Sequence, residues 1–227
     1  MILSLETSTS VCSLALHQEG LCLAEQVYNL PKSHATLMPE VIRQLLDNLN
    51  VQRSTLEAIA ISDGPGSYTG LRIGTATGKG LCSALEIPLI SVNSLDIMIE
   101  EMRPIVADIS YIAPMIDARR MEVYMKLIDK KGSELKDTRA VILTPDLFDN
   151  YIEYPILLVG DGARKCEGFI DHPHLKIVPD IYPRAQCMGI LAFQKFKERS
   201  FENLQDFEPN YLKEFHTMPS KNPLGNL

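Results

Sequence analysis

The chain has 227 residues, 45% hydrophobic and 22% charged, which implies a packed core and excludes a disordered polyelectrolyte. Its formal net charge of −7 excludes a protein that grips nucleic acid alone, since phosphate neutralisation needs clustered Lys and Arg. Cys12, Cys22, Cys82, Cys166 and Cys187 are odd in number and lack C-x-x-C spacing, which reads as free thiols in a reducing compartment.

Residues 1–5 are predicted as a first strand, broken at Glu6-Thr7-Ser8-Thr9-Ser10. Residues 11–17 and 21–27 are predicted to pair as a hairpin about Gln18-Glu19-Gly20, with Cys12 facing Cys22. After Pro31-Lys32-Ser33 a helix carries Leu37, Val41, Ile42, Leu45, Leu46 and Leu49 on one stripe, with Pro39 in its first turns. His34, beside Ser33, reads as a capping or surface residue.

Residues 58–62 are apolar and β-branched at Ile59 and Ile61, the pattern of a buried strand. They run into Asp63-Gly64-Pro65-Gly66, which only a turn accommodates, and then into a proline-free stretch with helical spacing from 69 to 86. The glycines match neither named phosphate motif: Walker A needs four residues before Gly-Lys-Ser/Thr, and Gly64, Gly66 and Gly70 give G-x-G-x-x-x-G. Ser67 lacks the flanks of a nucleophile elbow.

Gly70, Gly74 and Gly78 fall at i, i+4 and i+8, with Cys82 next, one bare stripe on one helix face. Each interior glycine costs about 1 kcal/mol relative to alanine, so the stripe serves a close backbone approach. Two readings stand: tight packing on the chain's own sheet, or helix-to-helix contact with a second subunit.

A strand at 88–92 and a short helix to Met102 complete a half made of three antiparallel strands followed by β/α alternation. The second half echoes it. Strands are predicted at 110–116, 122–128 and 134–143 around Asp117-Ala118-Arg119-Arg120, with a short helix capped by Thr144-Pro145-Asp146. A strand at 155–159 enters Gly160-Asp161-Gly162-Ala163, read as a strand-to-helix turn, and 184–198 is a helix. His172-Pro173-His174 lacks a second ligand pair and reads as a polar loop. No apolar run reaches the roughly 18 residues of a membrane span, and the expected location is the cytoplasm.

Leu5-Glu6-Thr7-Ser8, the block from Asp63 to Gly74, residues 88–95 and Ile116-Asp117-Ala118-Arg119-Arg120-x-Glu122-Val123-Tyr124 together resemble the TsaB (YeaZ) family. Pro209-Asn210-Tyr211-Leu212-Lys213 is similar to that family's closing Pro-x-Tyr-Leu-Arg, with Lys for Arg. The resemblance implies an α/β protein of the actin-like, hexokinase/Hsp70-type ATPase fold (ASKHA), with two ribonuclease H-like lobes. Each lobe would hold a mixed five-stranded sheet flanked by helices: 1–103, then 104–213 with its last helix able to pack back on lobe one, and a loose tail at 214–227.

The implied function is that of an accessory subunit in bacterial threonylcarbamoyl-adenosine (t6A) formation at position 37 of tRNAs reading ANN codons. The implied partners are the catalytic paralogue TsaD, the ATPase TsaE and, through the complex, tRNA, with a homodimer when alone and no membrane. Where TsaD carries its metal-binding histidines, this chain has Ser94 and Met98, poor ligands for zinc or iron. The turn at 117–120 holds two guanidinium groups and no glycine, expected to fill the cleft that ATP needs, with Arg119 and Arg120 as an anion contact.

The expectation is therefore no catalytic residue, no metal, and no cofactor bound by this chain alone, with ATP or ADP left to the interface of the complex. The partner interface is assigned to Leu37, Val41, Gly70, Gly74, Gly78 and Cys82. The alternatives are an ATP-dependent small-molecule kinase, with Asp117 as its acidic residue, and a metallopeptidase, which needs the missing His pair.

Overall fold

The computed structural model describes residues 1–29, 34–105 and 108–213; the segment Pro31-Lys32-Ser33 and the tail at 214–227 lie outside them. Lobe one begins with β1 (Ile2–Glu6), β2 (Cys12–Gln18) and β3 (Leu21–Tyr28), then α1 (His34–Asn48), β4 (Ala58–Gly64), α2 (Tyr68–Leu85), β5 (Leu89–Asn93) and α3 (Ser94–Met102). Lobe two has β6 (Tyr111–Asp117), β7 (Glu122–Asp129), β8 (Glu134–Ile142), β9 (Ile156–Val159) and β10 (Leu175–Val178), and α4 (Ala185–Lys197) follows.

The two sheets have one topology. Their orders are β3-β2-β1-β4-β5 and, read from the other edge, β8-β7-β6-β9-β10. In both, the first three strands are antiparallel and the last two run parallel to the first. This repeated lobe is the actin-like architecture that the resemblance implies.

Local chemistry explains the joints. Glu19 and Gly20 both take positive φ (52° and 83°) in the β2–β3 turn, which matches the twist of a tight hairpin. Ser67 caps α2 by accepting from the Gly70 N–H at 3.3 Å, and Asn93 caps α3 by accepting from the Leu95 N–H at 2.9 Å.

Strand alternation sorts the layers. Leu3, Leu5, Ile59 and Ile61 face outward beneath α1 and α2, with Leu45 and Leu46 packed on them. Ile2, Ala58 and Ala60 face inward, where the small side chains admit Ile97 of α3 with Met188 and Ala192 of α4. Leu95, Met98, Ile99 and Met102 of α3 meet Ile112, Ile116 and Val159 of lobe two. Helix α3 thus lies between the two sheets, and α4 packs beside it on the first sheet, against β1, β2, β3, β4 and β5.

Three expectations need correction, and one strand was missed. The register places Cys12 opposite Tyr28 and Cys22 opposite His17, so the thiols sit at opposite ends of the hairpin. The stretch after Thr144 forms turns and a single 3-10 turn, Asp149–Tyr151, and the one after Gly160 forms a 3-10 helix, Asp161–Cys166. These and Phe148 cover the outer face of the second sheet in place of α-helices. Strand β10, half-exposed and only four residues long, had no apolar run to announce it.

Candidate functional site between the lobes

Strands β1, β4 and β5 are parallel and end together at Glu6, Gly64 and Asn93, the edge where open sheets bind ligands. In this chain the turn after β1 is folded into the start of α2. Thr7 Oγ1 donates to Gly70 O at 2.8 Å, and the Ser67 N–H donates to Ser8 O at 2.6 Å.

The glycine stripe makes that approach possible. A Cβ on Gly70 would lie 2.0 Å from Thr7 O, one on Gly74 2.4 Å from Thr7 Oγ1, and one on Gly78 2.7 Å from Ile61 Cγ2. Cys82 is fully buried in the same core, Val41 is 2% exposed within it, and Leu37 is half-buried against it. The assignment of Gly70, Gly74, Gly78, Cys82 and Val41 to a partner surface is therefore corrected: they face the chain's own sheet and first turn. Small residues admit a close neighbour from the same chain or from another, and here the neighbour is Thr7. The open face of α2 is the opposite one, with Thr69, Ala76, Gly80, Ser83 and Ala84 exposed.

Behind the turn, polar groups are sealed in. Glu6 is fully buried; its Oε1 accepts from the Ser8 N–H at 2.6 Å, while Oε2 and the hydroxyls of Ser8 and Ser62 have no hydrogen-bond partner among the described residues. Burial pushes the Glu6 carboxyl up to about 7, against the lowering effect of Ser8 and Ser62 beside it. Burial likewise raises Asp63 to about 6, opposed by the charge of Lys195. Ser94 and Met98 are fully buried, Met98 within the apolar layer between the lobes. Among the described residues no three His, Cys, Asp or Glu side chains are placed to hold a metal ion.

The lobe-two side is a braced turn. Asp161 Oδ1 accepts from the Asp117 N–H at 2.9 Å, so Asp161 holds the β6–β7 turn. Lys165 Nζ donates to Asp117 Oδ1 at 2.5 Å and to Glu122 O at 2.8 Å, which ties up the one acidic residue the kinase alternative has. Arg119 and Arg120 are exposed and make no ion pair among the described residues, so they do not fill the cleft. His172 is tied into its own loop, its Nδ1 accepting from the His174 N–H at 3.2 Å.

What closes the cleft mouth is the segment 203–213. Leu204 and Phe207 pack against the lobe-one core, and Lys79 Nζ donates to Phe207 O at 3.2 Å. The Asn210 N–H donates to Asp63 O at 2.7 Å, and the Tyr211 ring stands 4.7 Å from that of Tyr68, over which Arg72 sits at 4.3 Å. Lys213 then reaches lobe two, donating to Ala118 O at 3.3 Å and pairing with Glu122. Tyr68, Arg72, Tyr211 and Lys213 were not among the residues assigned to a site by sequence, although Tyr68 and Arg72 lie in the block from Asp63 to Gly74 and Tyr211 and Lys213 in the closing motif at 209–213. Two surface depressions lie elsewhere: about 550 Å³ beside Gly20 and Phe193, and about 290 Å³ beside Arg103 and Lys130.

Comparison with known proteins bears on this site. Residues 23–220 match the family model described as TsaD: tRNA N6-adenosine threonylcarbamoyltransferase. The tRNA threonylcarbamoyladenosine biosynthesis protein TsaB of Bacillus subtilis is 35% identical over 93% of this chain and 93% of its own length. The chain belongs to this family, in its TsaB branch. The TsaB protein of Escherichia coli K12 is 28% identical over 93% of this chain and 94% of its own. The crystal structure of YeaZ from Pseudomonas aeruginosa superposes with a TM-score of 0.79 at 29% identity, covering 93% of this chain and 99% of that one. In this chain the first turn is folded onto the start of α2, and the segment 203–213 lies across the cleft mouth.

Proposed function

We propose that this chain is a non-catalytic accessory subunit in t6A formation on tRNA, dimerising with a TsaD-like catalytic paralogue and working with a TsaE-like ATPase in the cytoplasm. The kinship supports the pathway: the relatives are named as t6A biosynthesis proteins. One observation carries the non-catalytic part. The 2.6 Å bond from the Ser67 N–H to Ser8 O and the strap from Asn210 to Lys213 occupy the space where a nucleotide would approach the strand ends. Nucleotide, where it takes part, then belongs to the interface of the complex.

The docking face we assign is the exposed side of α2, not its glycine stripe. A Cβ on Gly80 meets nothing within 4 Å, and Thr69, Ala76 and Ala84 extend the same small-residue surface. The same face would serve a homodimer when the chain is alone. No helix among the described residues is long and apolar enough to cross a membrane.

The test is titration calorimetry of the chain with the catalytic paralogue, followed by t6A synthesis with and without it. Ala76→Arg/Gly80→Arg should abolish association with the fold intact. Unchanged affinity would remove the α2 face, and synthesis independent of this chain would remove the accessory role.

A further inference from the structure

Five of the ten arginines pair with carboxylates among the described residues: Arg43 with Glu40 and Asp47, Arg103 with Glu100, Arg139 with Asp137, Arg164 with Asp180 and Arg184 with Glu25. Arg119 and Arg120 have none among the described residues, although the formal net charge is −7. The carboxylates flanking them are already spent, Asp117 on Lys165 and Glu122 on Lys213. Among the described residues, then, two guanidinium charges at the tip of one turn have no carboxylate partner.

The backbone sharpens this. Arg119 and Arg120 take φ of 68° and 51°, a conformation that glycine or asparagine adopts at least cost. Positive φ also occurs at Glu19, Asn50, Glu86, Asp180 and Arg199, but only at 119 and 120 do two successive non-glycine residues hold it among the described residues. The turn is also rigid, because Asp117 accepts from the Arg119 N–H at 2.5 Å and Asp161 braces Asp117. The strap is anchored beside it, Lys213 donating to Ala118 O at 3.3 Å.

We propose that Arg119 and Arg120 bind backbone phosphates of the RNA substrate. Planar guanidinium forks match phosphate oxygens, and a pre-positioned pair with no carboxylate partner among the described residues surrenders no ion pair there on binding. Two such contacts are too few for an acidic chain to hold RNA tightly alone. They act by orienting RNA held mainly by the assembled complex. That the RNA is tRNA rests on the accessory reading above.

The experiment is anisotropy of labelled tRNA titrated with this chain bound to the catalytic paralogue, and with this chain alone at low salt, over a salt series. Arg119→Asn/Arg120→Gly removes both charges and suits the left-handed backbone. Its melting temperature should rise while tRNA affinity falls about tenfold and the log–log salt slope drops by about 1 per arginine. Arg53→Glu/Arg199→Glu, which removes two exposed arginines outside this turn, should change neither. Equal tRNA affinity and slope for the turn variant and wild type overturn the proposal. So does loss of paralogue association by the turn variant, which would make the turn a protein contact. If wild type fails to bind the paralogue, the accessory reading falls instead, and the titration of the chain alone still decides the arginines.

Discussion

The ring of Tyr211 stands 4.7 Å from that of Tyr68, at 42° between planes, and joins the closing motif of the chain to the first turn of α2. Two residues on, Lys213 bonds to the β6–β7 turn of lobe two, so one short segment links both lobes. Tyr211→Ala should cost about 1–2 kcal/mol from lost ring contact and burial. Urea unfolding measures the loss. Amide exchange at Ala118 and Glu122 should accelerate together with it, and exchange left unchanged would mean that the strap does not couple the lobes.

Glu6 carries a pH dependence of definite sign. Its carboxyl is raised from 4.5 to about 7 by burial, so the folded chain holds this proton more tightly than the unfolded one. Stability is then full below about pH 4.5 and declines as pH rises to about 7, by about 3 kcal/mol in all. Asp63, raised to about 6, adds a loss of the same sign. Glu6→Gln should melt higher than wild type at pH 8 and close to it at pH 4.5. Melting curves that shift equally at both values would contradict the burial argument.

The glycines of α2 should separate by face. Gly70→Ala puts a methyl 2.0 Å from the Thr7 carbonyl and should destabilise by about 2 kcal/mol through overpacking. Gly80→Ala meets nothing and should stabilise by about 1 kcal/mol through helix propensity. Chemical denaturation of both variants is the check. The outcome that counts against inward packing is a Gly70 variant as stable as wild type.

Lys126 is buried and joins Asp96 at the start of α3 to Glu134 of β8, at 2.7 and 2.8 Å. Burial works against its charge, but the bonds to Asp96 and Glu134 outweigh it and raise its pKa. Lys126→Ala should cost about 2 kcal/mol, chiefly through the gap left by its buried stem, since Asp96 and Glu134 remain open to water, whereas Lys126→Met, which fills that gap, should stay within about 1 kcal/mol. Equal losses for the two variants would show that the ion pairs, not the packed stem, hold this junction.

By itself the sequence determined the elements of lobe one, the turn at Gly64-Pro65-Gly66 and the repeat of the strand pattern in lobe two. These follow from turn chemistry and side-chain period, which act over a few residues. It also marked Gly70, Gly74 and Gly78 as a stripe built for close approach. Only the tertiary structure decided what approaches. Thr7 is 63 residues from Gly70 in the chain, and a bare helix face reads the same whether its neighbour comes from the same chain or another. The strap is of the same kind. Tyr68 and Tyr211 are ordinary surface tyrosines until folding brings them together, and Arg119 and Arg120 have no carboxylate partner among the described residues because Lys165 and Lys213 arrive to take Asp117 and Glu122.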